Sequence, residues 1–289
     1  MSIHHRNYYL KPLLIVLFFY CQLGYGQDTI SNYSQNKQTK ISQLLKHDFK
    51  YTLKGVSHSF TRPIYWKEKD FIRLATLLVG TTALSTLDNE TNRFFDKNKK
   101  GFPKPLRDFG WYFGSPQNYF MANAGLYGFG LVTKNEKIRK TSVLIISSSV
   151  TTGVITSLLK SSVGRSRPNN GTYGHLDFEL FSTKPGFHSF PSGHTALSIT
   201  MSHAIAKQFD NTWVKVGIYS IGAIPPITRL VDGAHWLTDV AFSAALSIIV
   251  VDSIDKFLLK SKAYSYNKPK KISWNFTIST NQIGFIGSF

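Results

Sequence analysis

Cysteine is almost missing from this chain. Cys21 stands alone among 289 residues, which excludes an intramolecular disulfide framework, Cys-based zinc sites and CxxC redox chemistry. Acidic side chains are scarce too: 16 Asp and Glu face 34 Lys and Arg, a formal net charge of +18. Charged residues make up only 17% against 42% hydrophobic, too little charge for a disordered chain. Long apolar runs are also lacking. Crossing a bilayer takes about 20 mostly apolar residues, yet the charge-free stretches from Lys215 to Arg229 and from Asp239 to Asp252 hold 13 and 12. The mean hydropathy of −0.12 is low for a protein made only of spans. No internal repeat is present. The basic excess predicts attraction to an anion: a phosphate ester, an anionic lipid surface or nucleic acid.

The N-terminus narrows these three. His4, His5, Arg6 and Lys11 precede an apolar run from Leu13 to Tyr20, and Gly24 and Gly26 offer small residues at −3 and −1 before Gln27. That is the layout of a secretory signal peptide. Cys21 lacks the preceding small residues of a lipoprotein box. Cleavage after Gly26 removes Arg6, Lys11 and the only cysteine, leaving +16. Export to a bacterial cell envelope argues against a nucleic-acid partner and for phosphorylated or lipid substrates.

Residues 27–69 read as a polar arm, in which Ile41, Leu44, Leu45 and Phe49 could form one short amphipathic helix. Six apolar segments follow, near 71–87, 119–133, 141–159, 195–206, 214–228 and 236–251, each long enough for a helix and without sustained strand alternation. Nine of the nineteen residues in 141–159 are Ser or Thr, so this helix is marginal as a span and comfortable in a buried bundle core. Between the first two segments, 88–118 carries Pro103 and Pro105 and is predicted to be a loop or a broken helix. Residues 257–289 form a basic linker and a β-like tail: Ile272, Trp274, Phe276 and Ile278 alternate with polar residues. The expected fold is therefore all-α, a bundle of about six helices over 70–256, with a polar arm and a short β-like tail.

Three motifs fall at helix ends. Lys160 is followed after six residues by Arg167-Pro168; Phe190-Pro191-Ser192-Gly193-His194 opens the fourth segment; Arg229 precedes His235 by six positions and Asp239 by ten. A phosphoryl group in transfer spreads charge over its equatorial oxygens and requires fixed cationic donors around them. Lys160, Arg167 and Arg229 supply three, and Arg engages two oxygens with its planar fork. Ser192 and Gly193 stand where a helix begins, where unpaired N–H groups favour an anion and glycine permits close approach. His235 and Asp239, four apart, share a helical face. A carboxylate there can hold one ring nitrogen protonated and leave the other to attack phosphorus. His194 is suited to protonate the departing alcohol.

This set resembles the type 2 phosphatidic acid phosphatase (PAP2) superfamily, which includes lipid phosphatases, soluble periplasmic acid phosphatases and vanadium-dependent haloperoxidases. The resemblance implies that His235 is the nucleophile of a phosphohistidine mechanism, Asp239 orients it and His194 is the general acid. It implies phosphate binding by Lys160, Arg167, Ser192, Gly193 and Arg229, and no metal or other cofactor. Thr228 stands where the family usually has Ser. The activity expected is hydrolysis of phosphomonoesters or diphosphates, lipid-linked or small and soluble: phosphatidic acid, isoprenyl diphosphate or lipid A phosphate. The alternatives are a vanadate-dependent haloperoxidase and a non-catalytic phosphate-binding envelope protein.

Other residues carry blander readings. His188 reads as a loop histidine rather than a substrate contact, Asp232 as an offset to local positive charge, and Trp111, Tyr112 and Phe113 as packing or an interfacial belt rather than an acyl-chain entrance. Six full spans after a cleaved signal would put the site in the cytoplasm. The basic flanks Lys134, Lys137, Arg139, Lys140, Lys256, Lys260 and Lys262 lie at the opposite end, and the positive-inside rule puts that end in the cytoplasm. The expectation is a membrane-seated bundle with its site on the periplasmic side.

Overall fold

Each of the six apolar segments grows into a helix whose ends the local sequence explains. In the computed structural model, residues 40–170, 174–260, 264, 273–279 and 282–288 are described, and Lys40–Phe289 forms one compact unit. The expected signal peptide and the first part of the arm lie outside the described residues. Helices α1 (Ile41–Thr61), α2 (Glu68–Leu84), α3 (Asp88–Asn98), α4 (Lys104–Gly114), α5 (Pro116–Val132), α6 (Glu136–Val163), α7 (Gly193–Ala206), α8 (Thr212–Val231) and α9 (Leu237–Lys260) follow in order. The Asn135 side chain accepts from the Ile138 N–H to start α6, and Gly164, at φ +58°, ends it in the left-handed conformation that glycine adopts most readily. Ser192 caps α7 and Asn211 caps α8 in the same way.

The expected fold of about six helices with a polar arm and a β-like tail is corrected on this basis, since nine helices form among the described residues. Residues 88–118, expected as a loop or broken helix, hold α3 and α4, with Pro103 and Pro105 tolerated because they stand at the N-terminal end of α4. The arm is not merely solvated. Its helix α1 packs on α6 and α9 with Leu44, Asp48 and Gly55 buried, while Ile41, Leu45 and Phe49 face outward. What holds α1 is polar: Asp48 accepts hydrogen bonds from Arg139, Tyr127 and Tyr264. Apolar periodicity does not register that anchor. No strand forms within residues 40–260 as described; β1 (Ser273–Ser279) and β2 (Gln282–Ser288) pair antiparallel with each other.

The core lies between α6, α7 and α9, where Leu144, Ile145, Ala204, Val251 and Ile254 are fully buried. Several serines and threonines of α6 enter this core with hydroxyls bonded back one turn, Ser147 to the Val143 carbonyl and Thr152 to that of Ser148, while those of Ser142, Ser148 and Thr156 are buried without a partner. Three stretches, Glu68–Gly101, Glu136–Val163 and Leu237–Leu258, are long and apolar enough to cross a membrane. In α2 no residue is buried, and Phe71, Ile72, Leu78 and Val79 all point outward.

Candidate active site

One end of the bundle collects the C-termini of α6 and α8 and the N-termini of α7 and α9, and all eight candidate site residues stand on these termini or the adjoining loops. His235 is 4% exposed in the turn before α9. Its Nδ1 lies 2.7 Å from the Ser189 carbonyl oxygen and 3.6 Å from the Asp239 carboxylate. A carbonyl only accepts, so Nδ1 carries the proton and Nε2 keeps its lone pair in the neutral ring. Burial, reinforced by Lys160 and Arg167, pulls the His235 pKa down to about 4, so the ring is neutral at physiological pH.

Asp239 is fully buried and saturated with donors. The Trp236 N–H donates at 2.8 Å, Arg165 Nη1 at 2.8 Å, and the Ser189 hydroxyl makes a short bond to it. Four residues after Asp239 in the helix, Ser243 returns a bond to its backbone carbonyl.

Two of the three cations near His235 are held by backbone oxygens. Lys160 Nζ donates to the His188 carbonyl at 2.8 Å, and Arg167 spreads its fork over the carbonyls of Pro185, Ala234 and His188. Arg229 donates to Asp232 at 2.9 Å, while its buried Nε has no partner. His194 Nε2 is likewise buried without a partner. Desolvation, then the charges of Arg229, His235, Lys160 and Arg167, hold the His194 pKa at about 3. An unpaired cationic donor beside an imidazole held neutral by surrounding positive charge is a site complementary to an anion. Ser192 Oγ accepts from the Thr195 N–H and hydroxyl, and its N–H donates to the Asp239 carbonyl at 3.3 Å, so what it can offer an anion is its hydroxyl proton. A Cβ built on Gly193 meets nothing within 4 Å, which leaves the start of α7 open to approach.

Sequence reasoning missed a second tier. Arg165, 4% exposed between Lys160 and Arg167, binds Asp239 and Asp88 at 2.8 and 2.7 Å, donates to Thr238 Oγ1 and also reaches the His175 carbonyl. Asp88, at the start of α3, accepts from the backbone and hydroxyl of Thr238. Its place two positions before the recognised Arg167 was the only sequence signal for Arg165. Asp88 carried none.

Helix α4 supplies a wall that no motif announced. Arg107, Gly110, Trp111 and Gly114 lie on one face. Arg107 grips Asp232 at 2.7 Å, and Trp111 stacks over the Arg229 guanidinium at 4.8 Å and tilts against His194 at 5.4 Å. A Cβ on Gly114 would stand 2.6 Å from His194 Cδ2, and one on Gly110 would collide with Thr228. Asp232 thus bridges two arginines, beyond a general offset of charge. Trp111 contacts the site, and His188 contributes its carbonyl while its ring bonds the Ser182 carbonyl. Among the described residues no group of three His, Cys, Asp or Glu is placed to hold a metal ion, and the three cations around His235 make the shell hospitable to anions.

Residues 141–255 match the family described as the PAP2 superfamily. The lipid A 1-phosphatase of Rhizobium johnstonii is 34% identical over 105 residues, 35% of this chain and 42% of that protein. This chain therefore spans about two fifths of that relative. The lipid A 4′-phosphatase of Porphyromonas gingivalis is 26% identical over 187 residues, 61% of this chain and 76% of that protein. Among solved structures, Aquifex aeolicus LpxE superimposes with a TM-score of 0.45 at 22% identity, covering 59% of this chain and 95% of that one.

Proposed function

We propose that the chain, whose residues 141–255 match the PAP2 superfamily, is a phosphatase that hydrolyses a lipid-linked phosphate through a phosphohistidine, without a metal. The observation that carries the reading is the pairing of two imidazoles inside one cationic shell. His235 has Nδ1 occupied by a carbonyl, and His194 has Nε2 buried and free. In the first step His235 Nε2 attacks phosphorus, the bond to the ester oxygen breaks, and His194 delivers a proton to the leaving alcohol. Lys160, Arg167, Arg229, the Ser192 hydroxyl and the backbone at Gly193 hold the equatorial oxygens. In the second step water, deprotonated by His194, attacks the phosphorus and returns His235.

The substrate follows from the relatives and from the surface. Relatives named for the 1- and 4′-phosphates of lipid A favour a phosphorylated glycolipid, and the outward apolar faces of α2 and α8 suit a site reached from a bilayer. The site is read as facing the periplasm, with the Lys134–Lys140 flank at the cytoplasmic end. Purified protein in EDTA is expected to release phosphate from a phosphorylated lipid in preference to p-nitrophenyl phosphate, with His235→Ala inactive yet folded. Full activity in that variant removes the proposed nucleophile. Protease protection of the 161–190 loop in intact spheroplasts overturns the sidedness.

A further inference from the structure

A second basic cavity backs on to the catalytic wall. It measures about 680 Å³ and is lined by Lys99, Lys100, Lys104, Arg107, Trp111 and Asp232 among others. Two of these, Trp111 and Asp232, also belong to the site. Arg107 donates to one Asp232 oxygen at 2.7 Å from the cavity side, and Arg229 to the other at 2.9 Å from the catalytic side. Lys104 is matched by Asp108 at 2.9 Å. Lys99 and Lys100 meet no carboxylate among the described residues. With four cations against Asp108 and Asp232 in the lining, the cavity keeps a positive excess that no protein group satisfies.

Apolar contact would not explain this lining, since a lysine pair held beside an arginine whose one carboxylate is already shared is suited to a dianion. Phe102 and Trp111 flank the cations, so the bound group would be a phosphate attached to a larger, partly apolar body. We infer that this cavity is a second phosphate subsite, which holds an uncleaved phosphoryl group next to the one being hydrolysed. The inference rests on the phosphatase reading and adds to it that the substrate class carries, or lies beside, a second phosphate. The shared chemistry has two sources: a second phosphate on the same lipid, or the headgroup of a neighbouring anionic phospholipid.

The test compares wild type with the double variant Lys99→Ala/Lys100→Ala, whose side chains lie outside the catalytic shell. Two lipid glycosides are offered in neutral detergent, one bearing two phosphates and the other one. The variant is expected to lose tenfold or more in kcat/KM on the doubly phosphorylated lipid and to keep the wild-type value on the singly phosphorylated one. If the loss appears instead only when phosphatidylglycerol is added, and with either lipid, the subsite holds a neighbouring headgroup. Equal values for wild type and variant under every condition, or an equal loss on both lipids without phosphatidylglycerol, overturn the inference. Calorimetric titration with the doubly phosphorylated lipid separates this from failure of the phosphatase reading. Binding that the variant weakens, with no phosphate released by wild type, removes the hydrolase and keeps the subsite. Binding unweakened both with and without phosphatidylglycerol removes the subsite.

Discussion

Ser189 touches His235 and Asp239 at once: its carbonyl accepts from His235 Nδ1 at 2.7 Å, while its hydroxyl donates to Asp239. The tautomer of His235 is therefore set first by the backbone, and Asp239 acts on the ring from 3.6 Å. Removing the hydroxyl leaves the carbonyl in place. Ser189→Ala is expected to keep kcat within about tenfold of wild type, far from the roughly 10⁴-fold loss seen where a carboxylate alone fixes the tautomer. Steady-state kinetics on one substrate decides it; a thousandfold loss would mean that the hydroxyl itself carries the orientation.

His194→Asn separates the two chemical steps. A poor alcohol leaving group needs the acid, so its release should slow by about 10²- to 10⁴-fold. Nitrophenolate leaves without a proton, so p-nitrophenyl phosphate should give a burst of one equivalent and then stall at the phosphohistidine. Rapid-mixing absorbance reads the burst, and a linear trace at wild-type rate would acquit His194.

Two depressed imidazoles set the pH behaviour. His235, with its pKa at about 4, is neutral and nucleophilic above that pH. His194, at about 3, is unprotonated in the free site near neutrality, so the productive proton arrives with a phosphomonoester monoanion, whose second ionisation lies at about 6. The kcat/KM profile should rise through about 4 and fall through about 6, and the upper limb should follow the substrate's ionisation when the substrate is changed. For stability the sign is the same for both groups. Their folded pKa values lie below the unfolded value near 6.5, so stability is complete above about 6.5 and is lost as pH falls through about 4 and 3. For buried His235 the loss is on the order of 3 kcal/mol. Tm measured from pH 7 to 4 should drop accordingly, and inorganic phosphate should reduce the drop by favouring the charged rings.

Asp88→Ala strips a partner from Arg165 in a site where both are buried. Leaving a buried guanidinium half-paired costs about 3 kcal/mol or more. The variant should show a clear fall in Tm together with loss of activity, whereas Lys104→Ala, at an exposed surface pair, should change Tm little.

Gly114→Ala places a methyl 2.6 Å from His194 Cδ2. Displacing a catalytic ring by about 1 Å costs on the order of 10²-fold in rate. A lowered kcat with a modest change in Tm is expected, and an unaffected kcat would show that the ring yields freely.

What the chain discloses in advance follows from range. Lys160, Arg167, His194, Arg229, His235 and Asp239 were legible because short spacings tie each to a helix end, and the helix ends converge. The six apolar segments were legible by period. Asp48, Asp88 and α4 were not. Asp88 acts on Thr238 across 150 positions of sequence, and the Asp48–Arg139 pair spans 91, so no local pattern encodes either contact. The glycines of α4 read as weak points in a helix, and their value appears only once Thr228 and His194 are seen against them. The hydroxyls of α6, which by composition suited a buried core, are satisfied one turn back at Ser147, Ser149, Thr151 and Thr152.

Trp111 reaches Arg229 and His194, and Arg107 reaches Asp232, from a stretch of chain that ends before residue 141, where the family match begins. Chemistry and selection are thereby written on separate lengths of one polypeptide. Within 88–118, Asp88 pairs with Arg165 and Gly110 and Gly114 pack against Thr228 and His194, whereas Lys99, Lys100 and Lys104 touch none of these and can be exchanged while the imidazoles and cations stay fixed. A library of such exchanges would retune which headgroup is admitted without rebuilding the machinery that cleaves it.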